Sequence, residues 1–226
     1  MLAVVIPAHD EEQHLGACLQ AVARAAACPA LGGEPVRVIV ALDDCRDASA
    51  RIAAEHGAQR VRLRARNVGR ARALGAARAL AQGARWLSFT DADSLVAPDW
   101  IAAQLAEGAQ CVCGTVEVAD WAGFDPRVRS SYDAAYRDTC GHRHIHGANL
   151  GVCAQAYRQV GGFAPLPAHE DVALVRALQA GGARIVWSSR PRVRTSARQD
   201  YRAPEGFGAY LAHLAARHGV PTGVPA

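Results

Sequence analysis

The sequence predicts an α/β fold in which a mostly parallel sheet carries helices on both faces. Short apolar runs alternate with segments of helical period through the first half of the chain. Half of the 226 residues are hydrophobic, which is enough for one large domain or for two small lobes that share a core. Parallel strands need long crossover connections, and helices supply them on both faces of a sheet.

The first half of the chain contains four candidate strands with a helix after each. The strands are expected at residues 2–6, 36–42, 60–64 and 85–91. Leu15, Cys18, Leu19 and Val22 keep helical spacing, and the three later helices are expected from Asp47 to His56, from Arg70 to Gln82 and from Pro98 to Gly108. We therefore predict that residues 1–109 form the first half of the domain.

The pattern changes after residue 109. A strand is expected at residues 110–118, helices at 126–139, 154–160 and 171–181, and a closing strand at 183–189. We predict that residues 110–200 form the second, mixed half of the same domain. Residues 201–226 are expected to form a C-terminal helix and, because Gly and Pro recur after about Arg217, a frayed tail.

The charge balance argues against a nucleic-acid-binding protein. All 25 basic residues are arginine, 21 acidic residues nearly balance them, and the formal net charge is +4. Such a balance permits an anionic ligand but is weaker than the basic surface of nucleic-acid-binding proteins. We therefore expect no nucleic-acid partner.

The sequence indicates a cytoplasmic protein. The apolar start at residues 1–6 is broken by Pro7, which makes it too short for a signal peptide, and no apolar run is long enough to span a bilayer. Peripheral membrane contact stays open. The seven cysteines are scattered without a second close pair, so we expect reduced thiols rather than a zinc site.

Polar residues gather where three of the predicted strands end. The sequences are PAHDEE at residues 7–12, LDDCRD at 42–47 and TDADS at 90–94. Ligands of open α/β sheets bind at the carboxyl ends of the strands. Asp91 and Asp93 can point to the same side of an extended chain, and such carboxylates suit a hard divalent cation shared with a diphosphate. The alternative is that these acids complement helix dipoles, which we favour for Glu12 and Asp47.

Other motifs narrow the ligand class. No Gly-x-Gly-x-x-Gly follows the first strand, which disfavours a dinucleotide cofactor, and a chain without lysine has no Walker-type phosphate loop. The sequence NVGRAR at residues 67–72 enters a helix. It suits a phosphate and, with equal weight, a solvated basic helix start.

In this order, these motifs resemble those of family 2 glycosyltransferases with the GT-A fold. Downstream, the sequences HGANLG at residues 146–151, VGGF at 160–163 and HEDV at 169–172 are similar to that family's acceptor-side half. The resemblance covers roughly residues 3–200. It implies a smaller, mixed acceptor-side region beside the Rossmann-like sheet.

The resemblance also implies an activity, with a role for each motif. The chain would move a single sugar from a nucleotide diphosphate donor, expected to be UDP-linked, to a small or carrier-bound acceptor whose identity is unknown. A Mn²⁺ or Mg²⁺ ion would bind Asp91 and Asp93, and Asp171, beside Glu170, would act as the general base of an inverting reaction. The donor would contact Pro7, Ala8, His9, Glu11, Asp43, Arg70, Asp91 and Ala92.

The acceptor or sugar pocket is implied less specifically. Gly147, Asn149 and His169 would line it, although Asn149 is equally interpreted as a turn residue. The alternating histidines at 142, 144 and 146 could be metal ligands, but surface or pocket positions are favoured. Trp121 and Tyr132 would either stack on an acceptor or pack in the core.

The chain departs from the family pattern in two respects. Many relatives have a later histidine that completes the metal site, whereas residues 193–198 contain none, so water, His169 or nearby arginines would have to take its place. The chain also lacks the Gln-x-x-Arg-Trp motif of processive synthases, which favours single transfer.

Two other functions remain open at this level. One is a non-catalytic nucleotide-sugar-binding protein of the same fold. The other is a nucleotidyltransferase, which is disfavoured because residues 7–12 lack a Gly-rich, basic loop.

Overall fold

The structure of the chain is a computed structural model that describes residues 1–118, 121, 123–196 and 207–218. The strands are β1 (Leu2–Ala8), β2 (Val36–Asp43), β3 (Gln59–Leu63), β4 (Trp86–Phe89), β5 (Leu95–Val96), β6 (Cys111–Val118), β7 (Leu150–Cys153) and β8 (Ile185–Thr195). The helices are α1 (Leu15–Ala26), α2 (Ser49–Glu55), α3 (Val68–Ala81), α4 (Trp100–Ala106), α5 (Pro126–Ala135), α6 (Ala154–Gln159), α7 (Glu170–Ala180) and α8 (Phe207–Arg217).

All eight described strands form one sheet in the order β3-β2-β1-β4-β7-β6-β8-β5. Strands β1 to β4 are mutually parallel, β7 is antiparallel to β4 and β6, and β6 is parallel to β8. The predicted α/β fold with a mostly parallel sheet and a mixed second region is confirmed. The sheet continues through both predicted halves, since β5 of the first half pairs with β8 of the second.

Several element boundaries differ from the prediction because tertiary pairing decides them. The fourth strand ends at Phe89 rather than residue 91, and the helix expected to reach residue 139 ends at Ala135. The short strands β5 and β7 were not predicted. Strand β8 runs on to Thr195 because it pairs with β6 on both sides of a register shift, which leaves Pro191 outside the ladder.

Two apolar clusters cover the two faces of the sheet. Alternate residues of β1 point to opposite sides, so that Leu2, Val4 and Ile6 join the cluster under α1 and α4, whereas Ala3 and Val5 join the cluster under α3, α6 and α7. A smaller third cluster joins α5 to α8 at the end of β6. The expected frayed tail at residues 219–226 lies outside the described residues.

Among the helices in the described part of the chain, none is long and apolar enough to cross a membrane. All seven cysteines are free.

Helix α3 lies unusually close to the sheet because small residues face it. A Cβ atom built on Gly75 would lie 2.4 Å from Cγ1 of Val5 in the centre of β1. Such a distance is far inside van der Waals contact, so only glycine permits this approach of helix and strand.

We predict that Gly75→Ala lowers the free energy of unfolding by about 1–2 kcal/mol. Overpacking costs roughly 1–3 kcal/mol, and the better helix propensity of alanine returns up to about 1 kcal/mol. The matched control is Gly16→Ala in α1, where the added Cβ would meet only ordinary contacts at 3.8 Å. Urea denaturation should therefore show a lower free energy of unfolding for Gly75→Ala and no decrease for Gly16→Ala. Equal stabilities of the two variants would contradict the close packing of α3 on β1.

Candidate active site

A cavity of about 920 Å³ opens at the carboxyl ends of β1, β2 and β4. It extends across the sheet to the start of α7 and to the segment that follows α5. Seven of the eight expected donor contacts line it, namely Pro7, Ala8, His9, Glu11, Asp43, Asp91 and Ala92. It is also lined by the expected metal ligand Asp93, by Gly147 and His169 of the expected acceptor pocket, and by the expected catalytic residues Glu170 and Asp171. The topology thus brings together most of the residues singled out from the sequence.

Asp43, at the end of β2, fixes the loop that follows β3. Its Oδ1 accepts hydrogen bonds from the backbone N–H groups of Ala65 and Arg66, and its Oδ2 accepts one from Asn67. The backbone carbonyl of Asp43 accepts a bond from Nδ1 of His9 at 2.6 Å, which places the ring proton on that nitrogen. Asp43 therefore shapes this end of the cavity as well as lining it.

Asp10 and Asp47 join the two loops that follow β1 and β2. Asp10 accepts from the N–H groups of Arg46 and Asp47, while Asp47 accepts from those of Glu12 and Ser49. Oxygen and sulfur atoms of Asp10, Cys45 and Asp47 lie close enough to hold a cation, but these backbone contacts already account for the cluster. Glu12 and Asp47 accept bonds from the N–H groups of Ala48 and Ser49 at the start of α2, so both lie near the N-terminus of that helix, but neither lies in the first turn of a helix or caps one.

The loop after β4 carries Asp91 and Asp93 into the cavity through a turn. Because the strand ends at Phe89, the two carboxylates do not alternate on extended chain, as the sequence argument assumed; the N–H of Ser94 bonds the carbonyl of Asp91 instead. The Cys18 thiol of α1 donates to the same carbonyl at 3.3 Å. Helix α1 therefore helps to hold this turn.

Arg72 is the central charged residue of the site. Its side chain is only 4% exposed, Nη2 lies 2.5 Å from Oδ1 of Asp91, and Nη1 bonds Oε1 of Glu170. Burial alone would lower the pKa of Arg72, but Asp91 and Glu170 more than offset this and raise the pKa above its usual value. The guanidinium therefore stays charged and joins the loop after β4 to the start of α7.

Glu170 and Asp171 are neighbours in sequence but have different environments. Burial raises the pKa of Glu170, partly opposed by the charge of Arg72, and its side chain is 4% exposed. Asp171 faces the cavity, where its Oδ2 accepts a 2.7 Å bond from the N–H of Gly147. Glu170 is thus suited to hold Arg72, and Asp171 to meet a ligand.

Gly147 makes this arrangement sterically possible. A Cβ atom at this position would lie 2.0 Å from Nη1 of Arg72, so any other residue would displace the guanidinium. The glycine was expected to line the sugar or acceptor pocket, and it also leaves room for the buried cation.

Two expected site residues do not line the cavity. Arg70 is exposed on the outer side of α3. Asn149 is fully buried and bonds the indole of Trp100 and the carbonyls of Thr115 and Pro191, so it joins β6 and β8 instead of facing a ligand. Its short, bifunctional amide suits this linking position.

The start of α3 is also not open to a phosphate. The side chain of Asn67 accepts from the N–H of Arg70, and the N–H of Gly69 bonds the carbonyl of Leu166. These donors are already used, which disfavours the phosphate interpretation of residues 67–72.

Sequence reasoning missed Arg72 although a signal for it exists. Gly69, Gly75, Ala76 and Ala79 lie three or four residues from Arg72 or from one another and are all buried. Helical periodicity therefore places Arg72 on the buried face of α3 and Arg70 outside it. A charged residue within a stripe of small buried residues indicates a buried ion pair.

A stack of rings forms the acceptor-side end of the cavity. Tyr136 lies flat on His144 with ring centroids 4.2 Å apart and is stacked on Tyr132 at 4.9 Å. His146 continues the series and contacts the Tyr136 hydroxyl at 3.0 Å. The histidines at 144 and 146 line the cavity, in agreement with the pocket interpretation, whereas His142 is buried behind them.

A profile of "Glycosyl transferase family 2" matches residues 3–158. The match includes the ends of β1, β2 and β4 that form the donor side of the cavity. The chain belongs to this family. It is therefore a glycosyltransferase. Among curated proteins, none matches the chain by sequence.

Solved structures of glycosyltransferases share the fold of this family 2 chain. TarS residues 1–349 from S. aureus, in complex with UDP-GlcNAc, aligns with a TM-score of 0.70 at 13% identity over 99% of this chain and 68% of that one. Glucosyl-3-phosphoglycerate synthase from Mycobacterium tuberculosis, in complex with Mn²⁺, UDP and glucosyl-3-phosphoglycerate, aligns at 0.61 and 18% identity over 99% and 81%. A longer TarS structure is covered to 42% of its length. At these identities the likeness establishes the GT-A fold.

We predict that Arg72→Met lowers the free energy of unfolding by about 3–5 kcal/mol, because it leaves Glu170 buried without its cation. The matched control is Arg70→Ala on the same helix. The side chain of Arg70 is exposed, so its loss should change the free energy of unfolding by no more than about 0.5 kcal/mol. Chemical denaturation of both variants measures the difference. If Arg72→Met were as stable as Arg70→Ala, the buried pair of Arg72 and Glu170 would contribute nothing to the free energy of unfolding.

Proposed function

We propose that the chain transfers a single sugar from a UDP-linked donor to an acceptor hydroxyl, with a divalent cation at Asp91 and Asp93 and with Asp171 as the base. The observation that carries this proposal is that a cavity joins the donor strand ends to the start of α7. Asp43, at the end of β2, and Asp171, at the start of α7, both line it. A cytoplasmic location is part of the same proposal.

The nucleotide is proposed to bind at the ends of β1 and β2. Pro7, Ala8 and His9 offer a wall of backbone and ring atoms there, and the Asp43 carboxylate can accept from a base N–H. Bound UDP in a related TarS structure agrees with this nucleotide class. Arg66, which also lines the cavity and pairs with Asp44, is a candidate for contacts to the nucleotide's phosphates, in place of Arg70.

The charge of the cavity favours a cation with the diphosphate. Among the described lining residues, six carboxylates face two arginines, and both arginines are paired with acids. A diphosphate would be repelled by this excess of negative charge unless a cation accompanied it.

Asp91 and Asp93 provide the hard oxygen ligands that such a cation prefers. Among the residues that the structure describes, neither Asp91 nor Asp93 belongs to a close group of three acidic, histidine or cysteine ligands, so diphosphate oxygens and water would have to complete the ion's shell. Arg72 bonds Oδ1 of Asp91, so Asp93 and Oδ2 of Asp91 would hold the ion. The bound cation would stabilise the negative charge of the departing diphosphate.

The protein's own residues would then orient the acceptor. Asp171 would take the proton of the attacking hydroxyl, with Oδ2 positioned by the Gly147 N–H and Oδ1 by the N–H of Val172. Glu170 would act only through Arg72, by fixing the start of α7. A single displacement of this kind inverts the configuration of the sugar.

The experiment that tests the proposal is calorimetric titration of the full chain with UDP, GDP and their sugar conjugates, first with Mn²⁺ and then with EDTA. Metal-dependent binding of a UDP-sugar, followed by its turnover with an acceptor, is the expected result. Binding of no nucleotide under either condition would refute the proposed donor.

We predict that Asp171→Asn loses most transfer, by about 10²–10⁴-fold, while UDP-sugar affinity stays close to that of the wild type. The amide oxygen can still accept from the Gly147 N–H, but the side chain can no longer take a proton. Release of UDP from the donor measures turnover, and calorimetry measures binding. Glu170→Gln is the comparison variant, since it should lower the free energy of unfolding by weakening the ion pair with Arg72. Wild-type turnover in Asp171→Asn would show that Asp171 is not the base.

We predict that Asp93→Ala weakens UDP binding in the presence of Mn²⁺ by about tenfold or more, since even losing an outer partner of a metal ligand costs about 10–100-fold. The same change at the exposed residue Asp99, outside the cavity, is the control for lost negative charge. Titration with UDP is the measurement. Unchanged affinity in Asp93→Ala, or wild-type binding insensitive to EDTA, would argue against the cation.

A further inference from the structure

The acceptor end of the cavity is built from rings and apolar side chains. Besides Tyr136, His144 and His146, which we call the ring wall, this end includes Val116, Tyr132, Ala135 and Ile145. None of these described residues is an arginine or an acid. The donor end is rich in carboxylates, so the two ends of the cavity suit ligands of different charge.

Hydrogen bonds fix the charge state of the histidines. The backbone N–H of Arg137 donates to Nε2 of His144, and the N–H of His144 donates to Nδ1 of His142. A backbone N–H can only donate, so each of these ring nitrogens carries no proton and both imidazoles are neutral.

His146 is held neutral as well. The Tyr136 hydroxyl accepts a 2.8 Å bond from the N–H of Val116 and is placed to donate to Nε2 of His146. Burial, together with the two other histidines, lowers the pKa of His146 to about 3. The ring wall therefore carries no positive charge at neutral pH.

The rings of the wall stack on one another, with Tyr132 and His144 against the faces of Tyr136, so that ring edges and the apolar side chains beside them line the cavity. Tyr136 and His144 are parallel within 9°, and Tyr132 and Tyr136 within 15°. Neutral ring edges and apolar side chains of this kind suit an uncharged ring, whereas an anion gains no ion pair from the neutral ring wall and is repelled by the carboxylates beyond it.

From these observations we propose that the ring wall is an acceptor subsite for an uncharged ring, either a sugar or an aryl group, and that it selects against acceptors bearing a phosphate or carboxylate there. The inference rests on the proposed function, because it names the acceptor class of the same cavity. Tyr136 is its central residue and would contact the acceptor ring directly.

The test is calorimetric titration of the full chain, saturated with UDP and Mn²⁺, with matched acceptor probes. The uncharged probes are methyl and p-nitrophenyl glycosides of glucose, galactose and N-acetylglucosamine; the charged probes are the corresponding sugar 1-phosphates and 3-phosphoglycerate. We expect an uncharged glycoside to bind more tightly than its phosphate counterpart. Binding of methyl glycosides would identify the sugar ring as the ligand, and binding of p-nitrophenyl glycosides alone would identify the aryl ring.

Variants of Tyr136 test the position of the subsite. Tyr136→Leu should lower the affinity for the uncharged probe by about tenfold. Tyr136→Phe keeps the ring and should lower that affinity by no more than about threefold, and the affinity for UDP should be unchanged in both variants. Should Tyr136→Leu fail to fold, the comparison of matched probes on the wild type and Tyr136→Phe still decides.

The outcomes separate the inference from the function on which it rests. Suppose that UDP binds the wild type. The acceptor subsite, but not the proposed donor, is then refuted if phosphate-bearing probes bind more tightly than their uncharged counterparts, if no uncharged probe binds, or if Tyr136→Leu leaves the affinity for the uncharged probe unchanged. If UDP itself does not bind the wild type, the proposed donor is refuted and the subsite with it.

Discussion

The buried guanidinium of Arg72 is the interaction on which the rest of the site depends. It lies between Asp91 on the loop after β4 and Glu170 at the start of α7, segments that are far apart in sequence. Removing Arg72 would leave the buried carboxylate of Glu170 without its cation, whereas Asp91 is 37% exposed and keeps contact with solvent. One cation thus joins the donor loops to the helix that begins with the proposed base.

The same contact determines where Asp171 faces. Successive residues of an α-helix point about 100° apart, so anchoring Glu170 inward directs the next side chain elsewhere. Here that direction is the cavity, where the N–H of Gly147 meets the carboxylate. The absence of a Cβ at Gly147 and the small residues along α3 let the helix, the cation and this turn approach each other closely.

Local patterns in the sequence predicted the sheet, most helices and the gathering of polar strand ends, because hydrophobic periodicity reports which face of each element is buried. They did not predict β5 or β7, whose few residues become strands only by pairing across the sheet. The site was predicted best at the strand ends. Arg70 was chosen by motif over Arg72, although helical spacing favours Arg72 for the buried face.

The mixed topology explains how one cavity acquires two chemically different ends. Parallel strands β1, β2 and β4 bring carboxylates and backbone groups to one edge, as parallel strand ends do. Antiparallel β7 then reverses the chain direction, so that the segment leading into it passes over the cavity and delivers His144, His146 and Gly147 beside Tyr136. A charged donor would bind at the carboxylate-rich end together with a cation, and an uncharged acceptor ring would bind at the ring wall, with Asp171 between the two. The order of strands in the sheet would therefore account for the selectivity of the cavity for both substrates.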